Sequence, residues 1–365
     1  MRRLVGNSII VVAAIVSLSG WTGIAARSPH KLGGQQSGGQ GAAPSAAQDA
    51  QGSAAPEAMN PYAPAPYRLV PNWPPPDPAV RWAEVIQTEP DAQGNLWVLH
   101  RGSPPILKLE PKTGKVLAAF GAGMFAGPHG FTIDADGNLY VTDCPLGPGA
   151  DPAALKAGKG YQLFKMDQHG EVLMTIGKAG YAMAGPESFV CPTDVAVAAN
   201  GDIFVTDGHR SAIDHYGDRV AKFSKDGKFI KDIVERGSGP GQVWQPHSIA
   251  IDAEGRLFVA DRSNNRLEIF DQEGHFIDIW RQFSRPSGIF IDKKTDTIYV
   301  SDSESSPQNH PGWPRGIRIG NTRTGAVNYF ISGTEPEGVG MDLDGNVYGC
   351  IVSHPRLEKY EPIRK

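Results

Sequence analysis

From about residue 80 onward the chain is built of short runs in which apolar and polar residues alternate, broken by glycine turns. The stretch from Gln245 to Arg266, QPHSIAIDAEGRLFVADRSNNR, carries the pattern most fully. A turn proline, Pro246, is followed by a histidine, the pair Ile249 and Ile251, an Asp252-x-x-Gly255 turn, a second run Leu257 to Val259, and an Asp261-Arg262 ending. Period-two alternation on both sides of a glycine turn predicts two short strands joined as a hairpin.

The same phrase recurs along the chain. Gly127 to Asp143 reads GPHGFTIDADGNLYVTD, Cys191 to Asp207 reads CPTDVAVAANGDIFVTD, Arg285 to Asp302 reads RPSGIFIDKKTDTIYVSD, and Glu335 to Cys350 reads EPEGVGMDLDGNVYGC. A worn copy, Gln87 to His100, keeps the turn and the second strand but loses the leading proline. Further strand pairs lie between the copies, for example VAKFSKDGKFI from Val220 to Ile230. Repeats of roughly forty to fifty residues, each worth four short strands, predict an all-β chain arranged as a six-bladed β-propeller, one blade per copy. Asp134, Asp252 and Asp342 are turn formers in this reading.

Upstream the composition changes. Met1-Arg2-Arg3, an apolar run from Ile9 to Leu18 and small residues through Ala26 read as a secretory signal peptide over 1–26, too short for a confident membrane span, the blander alternative being an uncleaved N-terminal anchor. Trp21 stands where a lipoprotein would need cysteine. Residues 27–78, rich in Gly, Gln, Ala, Ser and Pro, read as a tether, whose later part from Tyr67 to Val70 and Trp73 can pack on the propeller or supply a closing strand. The propeller is expected over 79–365, in a secreted or periplasmic protein with no stable membrane insertion once the signal is cleaved. A net charge of -4, from 35 basic and 39 acidic residues, gives no electrostatic case for nucleic acid. Cys144, Cys191 and Cys350 admit either a Cys144–Cys191 disulfide or three buried free thiols.

Aligning the copies brings out the chemistry. The residue after the leading proline is His129 in blade two, Thr193 in three, His247 in four, Ser287 in five and Glu337 in six. Blades two, four and six are alternate members of a six-fold ring, and the first strand of a blade lines the channel. His129, His247 and Glu337 therefore converge on the axis. Two imidazoles and a carboxylate with open positions suit zinc and also non-haem iron. The blander role for a histidine in this slot is a hydrogen bond to the backbone of the next blade. Arg101 and Arg262, each just after a second strand, belong at the channel mouth, where their forks suit a carboxylate or serve as salt bridges between blades. The insertions Pro145 to Gly160, Arg210 to Asp218 and Glu304 to Arg315 leave the same edge and should border that mouth.

With HRG near the start, GPHGFTIDADGNLYVTD, CPTDVAVAANGDIFVTDG and PHSIAIDAEGRLFVADRSNNRLEIF resemble the bacterial relatives of peptidyl-α-hydroxyglycine α-amidating lyase, within the wider NHL-repeat propellers. The resemblance spans the folded domain. It implies a metal-dependent lyase, zinc or another divalent metal such as iron being the cofactor, that splits a small or peptidyl α-hydroxyglycine with an anionic group into an amide and glyoxylate. It also implies a separate monooxygenase that makes the hydroxylated substrate.

Residue by residue, His129 and His247 match two of the family's three axial histidines, and Arg101 and Arg262 match its two substrate-holding arginines. Two positions depart. The third histidine is Glu337, and the aspartate that follows it, associated in the family with a structural calcium, is Gly338. The tyrosine proposed as base after the third blade's Asp-Gly is replaced by His209, with Tyr216 in the local insertion as a displaced counterpart. Either His209 or Tyr216 can serve as base. A second reading is a non-catalytic propeller that binds a peptide, glycan or protein partner. A third, a calcium-dependent hydrolase of the gluconolactonase type, has only one axial carboxylate in its favour.

Overall fold

Each repeat phrase folds as the two inner strands of a sheet, and in all but blade three, which has Ala198 there, an aspartate at the turn tightens the hairpin. Asp134 Oδ1 accepts from the backbone N–H of Asp136 and Asn138 at 3.0 and 2.8 Å, and Gly137 completes the turn at φ 83°. Asp91, Asp252 and Asp342 make the same pair of bonds in their own blades. A carboxylate that satisfies two turn amides holds the register of the strands on either side, so every inward side chain keeps its face.

The computed structural model describes residues 62–145, 149–209 and 217–364, and the fold is a six-bladed β-propeller. The innermost strands are Val85–Pro90, Pro128–Ile133, Pro192–Val197, Pro246–Ile251, Ile289–Asp292 and Pro336–Met341. Each packs against the next, and the last packs against the first, closing the ring. Apolar side chains collect between blades in six separate cores. Val98, Leu107, Tyr348 and Leu357 fill the seam of blades six and one, for example, and Tyr140, Phe189, Val205 and Phe223 the seam of blades two and three.

The ring is closed by chain from its own N-terminal side. Blade six takes only three strands from the C-terminal repeat, and its outer edge would be left with unpaired amides. Tyr67–Leu69 pairs antiparallel with Arg356–Pro362, with Leu69 opposite Tyr360. Ala63–Pro64 adds a short parallel pairing to the edge of blade five. Trp73 then packs 5.2 Å from the Tyr348 ring. The folded unit therefore begins upstream of residue 79, inside the stretch read as tether. The segment read as a signal peptide and the earlier part of that tether lie outside the described residues. Among the described residues no helix is long and apolar enough to cross a membrane.

Cys144 and Cys191 are paired, Cα to Cα 4.6 Å, across the seam of blades two and three, and Cys350 is a buried free thiol. At the other end of the channel from these cysteines, the inner strands enclose a cavity of about 260 Å³ lined by Glu89, Thr132, Asp194, Lys293 and apolar side chains. Burial, reinforced by Asp194, pushes the Glu89 carboxyl up to about 8.

Two outcomes follow. The disulfide closes a loop of 47 residues, a constraint on the unfolded chain of about 4 kcal/mol. Cys144→Ser with Cys191→Ser should lower the melting temperature by several degrees, and the variant, unlike the parent, should melt identically with and without reductant. Glu89 retains its proton in the folded protein up to a pH at which the unfolded chain has lost it, so it favours folding least at high pH. Glu89→Gln should raise stability at pH 8 by roughly 1–2 kcal/mol, discounted for its partial exposure, and change little near pH 4. Urea denaturation at the two pH values checks the sign.

Candidate metal centre

The ligand end of the channel is set by buried aspartates that close the second strands. Asp143 accepts from the amides of Ala126 and Gly127, Asp207 from Val190 and Cys191, and Asp261 from Trp244. Each fixes the chain just ahead of the proline that opens an inner strand, and so fixes the residue after that proline. Burial pushes all three carboxyls up to about 6 even though amides and arginines oppose it.

From that shelf His129 and His247 project into the channel, each 3–4 % exposed. His129 Nδ1 lies 2.8 Å from the Thr193 carbonyl of blade three, and His247 Nδ1 lies 2.7 Å from the Ser287 carbonyl of blade five. A carbonyl oxygen only accepts, so in both rings Nδ1 carries the proton and donates. Nε2 is then left with a bare lone pair, and in neither ring does it have a hydrogen-bond partner. Backbone bonding and a ligand role are thus two ends of one ring, the arrangement that orients metal-bound histidines generally. Burial holds His129 well below the ordinary imidazole range, aided by His247 and Arg101.

Glu337 completes the set from blade six. Its Oε1 lies 3.0 Å from His247 Nε2, without hydrogen-bond alignment, while Oε2 accepts from Ser303 Oγ at 2.6 Å. Ser303 Oγ is 2.8 Å from Ser287 Oγ, the residue in the same slot of blade five. Despite its burial the carboxyl is held well below the usual carboxylate range, by His247 when that ring carries a second proton and by Arg262 and the Ser303 hydroxyl. Glu337 is therefore an anion, and its Oε1 beside His247 Nε2 calls for a cation between them, a proton or a metal ion.

The fourth member is His209. Among the described residues His129, His209, His247 and Glu337 bring one ligand atom each to within 4.8 Å of one another. The His209 ring centre is 4.9 Å from that of His129 and 5.2 Å from that of His247. Its Nε2 is 3.1 Å from Arg262 Nη2. A guanidinium can only donate, so the His209 lone pair is taken and its proton sits on Nδ1, which is buried without a partner. Burial and the neighbouring Arg262 keep this ring well below the ordinary range. Tyr216 falls in residues 210–216, outside the described residues.

The donor set fits a divalent transition metal: two neutral nitrogens with open lone pairs and one carboxylate oxygen, dry and preoriented. It does not fit calcium in the layer beneath. A side chain at Gly338 would run into Ile86 O and Gln87 Oε1. Asp194, in that layer of blade three, already accepts from Ser248 Oγ at 2.6 Å, Ile249 N at 3.1 Å and Val195 N at 2.9 Å.

Both sequence-predicted arginines reach this end of the channel. Arg262 is 2 % exposed and touches Glu337 and His209 directly. Arg101 is half-buried and donates Nε to Pro128 O at 3.4 Å, next to His129. Sequence reasoning missed Ser303, which holds Glu337, and Glu304, whose Oε1 lies 3.6 Å from Arg262. The signal was available: Ser303 occupies the slot after the second strand that Arg101 and Arg262 occupy in their blades, and Glu304 shares the next slot with His209.

Comparison with known proteins agrees with the repeat architecture. A family described as a 6-bladed beta-propeller matches residues 213–281, and the NHL repeat matches residues 189–216. The chain is 35% identical to the peptidylglycine alpha-amidating monooxygenase of Rattus norvegicus over 45% of its own length and 16% of the relative's. It is 32% identical to peptidyl-alpha-hydroxyglycine alpha-amidating lyase 1 of Drosophila melanogaster over 45% of its length and 29% of the relative's. The chain thus spans well under half the length of these relatives. Among solved structures, a gluconolactonase of Xanthomonas campestris superimposes with a TM-score of 0.51 at 13% identity, covering 77% of this chain and 86% of that one, a likeness of fold.

His247→Ala should lower zinc affinity at least about 100-fold while the propeller remains folded, as judged by zinc titration and circular dichroism. Full zinc occupancy in that variant at unchanged affinity would remove His247 from the site.

Proposed function

We propose that this propeller is a metal-dependent lyase that cleaves the C–N bond of an α-hydroxyglycine-type substrate, giving an amide and glyoxylate. One observation carries the reading: two imidazoles on alternate blades donate Nδ1–H to backbone and turn bare Nε2 atoms toward a single carboxylate on the axis. Likeness to the amidating enzymes supports the reaction class.

His129, His247 and Glu337 would hold the metal, zinc or iron. When bound there, such an ion supplies Lewis acidity that makes the substrate's hydroxyl easier to deprotonate. The chain's own residues do the rest. The hydroxyl proton must leave, the C–N bond must break, and the departing amide nitrogen must gain a proton. His209 cannot accept a proton while its lone pair faces Arg262. Its Nδ1–H is instead suited to hydrogen-bond the departing amide, steadying the negative charge that develops there. Tyr216, the sequence's other candidate for base, would take the hydroxyl proton as its phenolate and return it to the departing amide nitrogen, so that no net proton is gained or lost. Arg101 supplies a fork-shaped donor for the substrate carboxylate.

A monooxygenase acting upstream would supply the hydroxylated substrate. Export to the secreted or periplasmic space is part of the proposal. The Cys144–Cys191 pair supports it, because structural disulfides persist in oxidising compartments.

The test is glyoxylate release from α-hydroxyhippurate by protein lacking residues 1–26, stripped of metal and then reconstituted with zinc or ferrous iron. Release that appears on reconstitution and falls at least about 100-fold in His129→Ala is the expected result. Metal bound at full stoichiometry with no glyoxylate formed would reject the lyase assignment.

A further inference from the structure

The two arginines at the mouth, alike in the sequence, have different surroundings. Arg262 Nη1 lies between two carboxylates, 3.4 Å from Glu337 Oε1 and 3.6 Å from Glu304 Oε1, while Nη2 donates to His209. Glu304 Oε2 in turn accepts from Arg285 Nη2 at 2.9 Å and Nε at 3.2 Å. Arg285 Nη1 donates to the Arg262 carbonyl at 2.8 Å. Among the described residues, these two guanidiniums and two carboxylates make a charge-balanced set. A substrate carboxylate reaching Arg262 would have to displace Glu304 and would meet Glu337 beside it.

Arg101 stands differently. Among the described residues no carboxylate lies within ion-pair distance of it, and Glu337, Glu84 and Asp143 act on it only from further off. Among the described residues, its fork is an arginine donor at the mouth that no carboxylate already matches.

We propose that Glu304 is a specificity-determining residue. By engaging Arg262 it makes that arginine a positioning group for Glu337 and His209 and leaves Arg101 to receive the substrate's carboxylate. The site then takes substrates with one anionic group at the scissile end and discriminates against a second acidic group next to it. Glu304 suits this role because it is more than a third exposed, on the loop leaving blade five, and its charge faces the mouth. The inference rests on the lyase reading for the identity of the substrate, but not for the way the site binds anions.

The experiment compares two probes that differ by one charge, acetyl-glutaminyl-glycine and acetyl-glutamyl-glycine, binding to zinc-loaded protein by calorimetry. The parent protein should prefer the glutaminyl peptide by about threefold to tenfold, and Glu304→Gln should abolish the preference. Arg101→Gln should weaken both peptides about tenfold or more and leave the visible spectrum of the cobalt-loaded protein unchanged. Arg262→Gln should shift that spectrum through Glu337, with Arg262→Lys restoring it in part, and should lower kcat more than it raises KM.

An unchanged preference in Glu304→Gln overturns the proposal. So does an Arg262→Gln variant that loses peptide binding as Arg101→Gln does while its cobalt spectrum stays put, or a parent protein that binds neither peptide. If the peptides bind in the expected pattern but no glyoxylate is released from α-hydroxyhippurate, anion recognition stands and the lyase assignment falls.

Discussion

The structure turns on the contacts made across blade seams at one slot, the residue after the proline that opens each inner strand. His129 reaches the Thr193 carbonyl, Thr193 Oγ1 donates to the Pro246 carbonyl at 2.8 Å, and His247 reaches the Ser287 carbonyl. Ser301 Oγ adds a bond to the Glu337 carbonyl at 2.9 Å. Apolar cores between blades are non-directional and would tolerate a small rotation of one blade on another. A hydrogen bond between side chain and carbonyl would not. The seam contacts that fix blade orientation also set the tautomer of the two imidazoles, so packing and chemistry share the same atoms.

That sharing explains what the sequence disclosed. Repeated phrases with an Asp-x-x-Gly turn force a two-residue period and a common register, which is why the blade count and the channel-facing residues could be read directly. His129, His247 and Glu337 were visible because they occupy one repeat position. The partners that tune them were less visible because they come from irregular segments. Ser303 and Glu304 open a loop with no counterpart of the same length in the other blades, and His209 lies next to residues 210–216. The closing strand Tyr67–Leu69 was hard to place for another reason. It lies in a Pro-rich stretch with little alternation, and an edge strand of three residues carries too short a period to register.

Electrostatics at the ligand end follow from exchanging one neutral ligand type for a charged one. An imidazole in the slot of blade six would leave Arg262 with Glu304 alone as its carboxylate partner among the described residues. A carboxylate there draws the guanidinium inward, and Glu304 and Arg285 complete the balance. His209 then meets an arginine already fixed in place, which takes its lone pair and leaves its remaining proton on a buried Nδ1. A single acidic residue thus reorganises the hydrogen bonding of three neighbours.

The pairing of Tyr67–Leu69 with Arg356–Pro362 joins segments from opposite ends of the folded unit. A chain emerging from the ribosome cannot finish its last blade until the final repeat has been made, and until then the ring stays open on one side. The entropy cost of bringing such distant segments together grows only slowly with the length between them, so the delay is one of order rather than of stability. Once shut, the ring has no preferred starting blade. Chain ends could be moved to another blade boundary, with the old ones joined by a linker, and the same sheet would form from a continuous hairpin.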